Sequence, residues 1–144
     1  MSAMNDYLLD ACALIALFND EDGAVVVSDL LDRAKLGEIT VSINAANLIE
    51  VYYDRIRVIG SAKADAIIRE MQDTFPLSII ETIDFNIVRE AACLKALGKM
   101  SFADTILVAT AICTGATIVS CDHVELGPIE RQGNVPFLWI RPQF

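Results

Sequence analysis

The chain is short of the residues on which several kinds of chemistry depend. It has one histidine, His123, and four cysteines, at positions 12, 93, 113 and 121, with no C-x-x-C spacing. That is too thin a ligand set for a zinc site. A thiol nucleophile needs a basic partner and an orienting third group, and His123 alone does not supply both. The cysteines are expected to be small buried apolar residues rather than disulfides. Neither G-x-G-x-x-G nor a Walker-type loop occurs, which disfavours nucleotide-binding enzymes. No stretch reaches the ~20 apolar residues of a membrane span. Phe102 to Cys121 comes nearest, yet it holds Asp104 and breaks at Thr114-Gly115. The first residues, Met1 to Asp6, lack a basic segment and an apolar core, so no signal peptide is expected and a cytoplasmic location is the default. Basic runs are missing too. Eleven Lys and Arg face 20 Asp and Glu, a formal charge of −9, which argues against tight non-specific binding to nucleic acid.

What is present is apolar and periodic. The 144 residues are 54% apolar and only 22% charged, enough for one compact domain over residues 1–144 with a real core. The apolar surplus hints at a self-association surface. Val25, Val26, Val27, Leu30 and Leu31, with Ala66, Ile67 and Ile68, are open to that use or to core packing. No repeat, low-complexity tract or linker divides the chain.

Short β-type runs alternate with helical ones, the pattern of βα units and a mostly parallel sheet. Strands are expected at 7–9, 39–43, 77–80, 117–121 and 137–140. Helices are expected at 12–18, 24–36, from 44 or 45 to 59, 61–75 with Ser61 as cap, 84–97 with Asp84 as cap, and from Ser101 to Gly115. Gly127-Pro128 and Gly133-Asn134 read as loops. With right-handed crossovers this makes an α/β fold, a three-layer α/β/α sandwich around about five strands.

Four acids stand out by position. Asp10 and Asp122 close apolar strands, and open parallel sheets bind ligands outside the carboxyl ends of their strands. Glu50 belongs with Asn47, Asp54 and Arg57 to a polar stripe on a helix. Asp104 completes Ser101-Phe102-Ala103-Asp104, which fits the [ST]-x-x-[DE] capping signature. Each has an ordinary use as a cap, a turn or a solvated face. Gathered at one edge they would repel one another unless a cation neutralised them. Other strand-end aspartate chemistries fit less well. A haloacid-dehalogenase-like phosphatase wants a second Asp where Cys12 stands, and a phosphotransfer receiver wants a late strand-end Lys that is missing.

Taken together, Asp10-Ala11-Cys12-Ala13-Leu14-Ile15, Asn47-Leu48-Ile49-Glu50, Ser101-Phe102-Ala103-Asp104 and Ser120-Cys121-Asp122 resemble the PIN domain family of metal-dependent nucleases, with VapC-type toxins as the nearest subgroup. Order and spacing cover almost the whole chain. The resemblance implies that Asp10, Glu50, Asp104 and Asp122 are the catalytic acids and hold one or two Mg²⁺ or Mn²⁺ ions. It implies endonucleolytic cleavage of RNA, a homodimer, and an antitoxin protein as partner. Ser101, Ser120 and Asn47 are expected to support the acids, the serines by orienting Asp104 and Asp122. Arg55, Arg57 and Lys99 are the expected contacts to the RNA backbone. Cys12 departs from the family, where Ser, Thr or Asn is commoner. The alternative is a catalytically inactive PIN-like interaction protein.

Overall fold

Short continuous apolar runs such as Leu8-Leu9, Ile79-Ile80 and Ile118-Val119 set the frame, because neighbouring residues of a parallel strand bury on opposite faces. The computed structural model describes residues 5–143, and the expectation for the first residues lies in part outside them. The strands are β1 (Asp6–Leu9), β2 (Thr40–Asn44), β3 (Ser78–Ile80), β4 (Thr117–Ser120) and β5 (Phe137–Trp139). They form one sheet in the order β3-β2-β1-β4-β5, with every neighbouring pair parallel.

From β1 the chain steps outward to β2 and β3, then returns across β1 to β4 and β5. Right-handed crossovers turn that reversal into helices on opposite faces. Helices α1 (Ala11–Asn19), α2 (Ala24–Lys35), α3 (Ala45–Ile59) and α4 (Ser61–Thr74) share a core with Leu9, Val41, Ile43 and Val119. Helices α6 (Phe102–Thr114) and α7 (His123–Gln132) share the other with Leu8 and Ile118. Helix α5 (Phe85–Leu97) packs on α6. This is the expected α/β/α sandwich.

Successive residues of β1 and β4 therefore feed opposite cores: Leu8 and Ile118 one, Leu9 and Val119 the other. All four are essentially fully buried, each worth ~1.5–3 kcal/mol. A one-residue slip would swap their faces. The register Leu8↔Ile118 and Leu9↔Val119 thus also locks the acids that follow both strands. Val27, Leu30, Leu31 and Ile68 go to the core, and Val25 is exposed.

Local expectations need four corrections. Gly127-Pro128 is no loop but lies inside α7. Asp122 caps that helix through the Glu125 amide, and Leu126 and Ile129 bury themselves in the core. Pro128 withholds only the donor for the Val124 carbonyl, on an exposed residue near the helix start where water can replace it. Ser61 is the first residue of α4 rather than its cap; Gly60 stands between α3 and α4 at φ 86, ψ 161, a conformation that only glycine adopts readily. The cysteines are not core residues either: Cys93 and Cys113 are exposed on α5 and α6, and Cys12 and Cys121 are half-buried. The polar stripe of α3 divides as well. Asn47 and Asp54 are buried, while Glu50 and Arg57 are exposed.

Candidate active site

The sheet reverses its winding between β1 and β4, and the crevice outside the carboxyl ends of strands at such a point is where open α/β sheets take ligands. Asp10 directly follows β1, and Asp122 follows β4 by one residue. Asp104 enters from the first turn of α6. Glu50 comes from α3, which is held against α6 where the Asn47 amide donates to the Ala103 carbonyl, 3.5 Å. All four line one cavity of about 410 Å³, with Cys12, Ser101, Lys99 and Glu125.

Asp10 is the innermost, 5% exposed. Its Oδ1 accepts from the Ala11 amide at 2.8 Å, and its Oδ2 from the Ser120 hydroxyl at 2.8 Å. Ser120 accepts in turn from the Asp122 amide, 3.0 Å. The serine was expected to orient the Asp122 carboxylate; it instead fixes the Asp10 carboxylate and the Asp122 backbone, because it sits on β4 beside the end of β1. Ser101 caps α6 by accepting from the Asp104 amide, 3.1 Å. Asp10 and Asp122 are both helix caps. The ordinary role of each acid and its place in the cavity therefore coexist.

Electrostatics separates this cluster from a set of caps. Burial pushes the Asp10 carboxyl up, and Glu50 and Asp122 add to it, against the Ser120 and Ala11 hydrogen bonds. Burial, then Asp104 and Asp122, raises Glu50. Asp104 is pushed up to about 6 by burial and then by Asp10, Asp122 and Glu125, with Ser101 opposing. Three helix N-termini face this cavity, but each offers a carboxylate only ~0.3–1 kcal/mol. They do not cancel five acids. Lys99 is the one basic residue in the lining.

Arg55 cannot take the role expected of it on an RNA backbone. It is 4% exposed, pairs with Asp54 at 2.9 Å, donates to Asn19 and lies over the Phe18 ring. Arg57 is exposed but bound to the same Asp54, at 3.0 Å. Only Lys99 stands at the acids. Asn47 is fully buried and meets α6 rather than a carboxylate. His123 stacks on Trp139 with centroids 4.0 Å apart, and its Nε2 faces the Arg141 carbonyl, 2.8 Å.

Glu125 was not among the expected residues, although Asp122-His123-Val124-Glu125 carries the spacing of a capping box. That signal marks both the missed helix and the fifth acid.

The donors fit a hard cation. They are carboxylate oxygens, the set that Mg²⁺ and Mn²⁺ prefer. Among the described residues no three such side chains stand close enough to grip an ion together as placed. The cavity instead leaves space for an ion that keeps part of its water shell, as Mg²⁺ commonly does.

No curated protein matches the chain. Its fold is similar to solved structures of VapBC proteins and of a VapC toxin. VapBC from Salmonella typhimurium, bound to DNA, is 14% identical with a TM-score of 0.72 over 96% of this chain and 100% of that one. VapBC2 from Rickettsia felis, bound to a promoter DNA fragment, is 18% identical with a TM-score of 0.71 over 93% and 98%. VapC20 of Mycobacterium tuberculosis, a Sarcin-Ricin loop cleaving toxin, is 16% identical with a TM-score of 0.56 over 78% and 86%. Such identities speak for the fold alone. The sequence itself matches the PIN domain model from residue 7 to residue 124, a span holding all four acids, and the chain belongs to the PIN domain family.

Proposed function

We propose that the protein is a metal-dependent endoribonuclease and the toxin of a toxin–antitoxin pair. One observation carries this reading: four acids from four elements line one cavity at the switch point of the sheet. A cluster in which Asp10, Glu50 and Asp104 have raised proton affinity suits a site completed by a cation.

Asp10, Asp104 and Asp122 would hold Mg²⁺ or Mn²⁺, directly or through water, with Glu50 beside them. A divalent ion bound there would supply an acidified water and offset charge on the phosphate. Ser120 and the Ala11 amide hold Asp10 in one orientation, and Ser101 sets the turn that presents Asp104. Glu50, the most exposed of the four and raised in proton affinity, orients the attacking water and takes its proton. Lys99 receives a backbone phosphate at the rim.

Self-association and antitoxin binding fit the exposed apolar side chains. Ile83, Val88, Ala91, Ala92, Phe102 and Ile106 line an apolar cavity between α5 and α6, suited to a second copy. Ile49, Tyr53 and Ile56 of α3 are exposed close to Glu50, suited to an antitoxin segment.

The test is cleavage of a mixed single-stranded RNA pool by antitoxin-free protein. Cleavage with Mg²⁺ or Mn²⁺, abolished by chelator and by Asp10→Asn, is expected. Protein that is folded and dimeric but inert with both metals would favour the interaction-protein reading.

A further inference from the structure

Cys12 and Cys121 lie 109 residues apart in sequence, yet the fold brings their side chains together. The Cys121 amide donates to Cys12 Sγ at 3.1 Å, which sets the two cysteines against each other at the ends of β1 and β4. Both are half-buried and neither is in a disulfide, and Cys12 lines the acidic cavity. Cys12 is the second residue of α1, two after Asp10; Cys121 is the residue before Asp122. Cys12 Sγ also stands 3.6 Å from Asp10 Oδ2 and 3.4 Å from Ser120 Oγ. A thiol pair is thus fitted between the two strand ends that carry the innermost acids.

We propose that Cys12 and Cys121 are a modification site at which hydrogen peroxide closes an intramolecular disulfide and disables the acidic cavity. One sulfur attacks the peroxide; the O–O bond breaks, water leaves with the thiol proton, and a sulfenic acid remains. The second sulfur attacks that S–OH, an S–S bond forms, and a second water departs. Two thiols lose two electrons and one hydrogen peroxide gains them. Thiols that meet in a reducing compartment are used this way, as transient sensors rather than staples.

The bond would act on the acids through two links. The Cys12 proton now facing Asp10 is lost. A disulfide of ~2.05 Å also fixes both sulfurs in one geometry, which takes Cys12 Sγ from its place beside Asp10 and Ser120 and ties the first turn of α1 to the turn from Ser120 to Asp122. Both turns position carboxylates. Formation of the disulfide is independent of the ribonuclease reading; its effect on cleavage rests on it.

The experiment uses a Cys93→Ser/Cys113→Ser protein, which removes the two exposed thiols that could link molecules. After one equivalent of hydrogen peroxide, peptide mapping without reductant should recover Cys12 joined to Cys121, and dithiothreitol should separate them. Cleavage of RNA with Mn²⁺ should fall about tenfold or more in the linked form, a loss typical of disturbed support around metal ligands. It should return on reduction. Cys121→Ser on the same background should yield no linked peptide with peroxide. Recovery of the two cysteines as separate thiols or sulfinic acids overturns the proposal, as does a linked protein cleaving at full rate. If the reduced protein never cleaves RNA, the ribonuclease reading fails and the peptide map alone decides the disulfide.

Discussion

Two buried aspartates of this protein live under opposite conditions. Asp54 on α3 is 9% exposed and has two arginines on it, Arg55 at 2.9 Å and Arg57 at 3.0 Å. Asp10 is 5% exposed and, among the described residues, is paired with no Lys or Arg; it has an amide, a hydroxyl, a thiol and other acids. The chain can pair a buried carboxylate when the fold requires it. At the strand ends it does not, with only Lys99 at the rim. The difference separates a carboxylate paired within the fold from a group of carboxylates that no arginine among the described residues offsets.

The comparison breaks most visibly at Asp54. Replacing it with Ala strands Arg55, buried and without its counter-ion, and such losses run to about 3–5 kcal/mol. Urea unfolding should show that drop while cleavage per folded molecule stays unchanged. A cleavage defect without the stability loss would mean that the Asp54 group serves the site.

Ser120→Ala sharpens the other half. It removes the donor to Asp10 and the acceptor of the Asp122 amide, both buried or half-buried, for a loss of about 1–3 kcal/mol. Here cleavage should fall as well, because the same hydroxyl orients the acid. A variant of wild-type stability and activity would remove Ser120 from the account.

A smaller effect comes from pH. The folded Asp104 carboxyl sits at about 6 against an ordinary 3.8. The native state therefore holds more protons than the unfolded chain between those values, and apo stability falls as pH rises through that window. The penalty is absent below about 4 and complete above about 6. Partial exposure of Asp104 leaves it at roughly 1 kcal/mol after solvent screening. Wild-type and Asp104→Asn proteins unfolded in chelator across this window should diverge by that amount in favour of the variant. Parallel curves would mean that the acids do not feel one another.

Much of the frame is legible in the residues themselves. Runs such as Thr117-Ile118-Val119-Ser120 have one plausible local structure; Asp10, Asp104 and Asp122 stand out by their places at strand and helix ends, and Glu50 by the polar stripe of α3. The misses have physical causes. Helix α7 hides behind Gly127-Pro128 because a cap and two buried side chains outweigh one missing amide. Arg55 reads as a surface charge beside Arg57, since periodicity alone cannot tell which side of α3 meets Phe18 and Asn19. The meeting of Cys12 and Cys121 depends on β1 lying beside β4, a strand order that no local pattern encodes.

The most direct test of the unpaired cluster is the melting temperature of wild type and Asp104→Asn at pH 7, in chelator and in Mg²⁺. If Asp104 were only an acid in the first turn of α6, its loss would cost ~0.3–1 kcal/mol in either condition. In a like-charged cluster its removal relieves repulsion. The variant should melt at the same temperature as wild type or higher in chelator, gain nothing from Mg²⁺, and fail to cleave RNA, while wild type gains stability with the ion. An Asp104→Asn protein that melts lower in chelator, still gains from Mg²⁺ and cleaves normally contradicts the account.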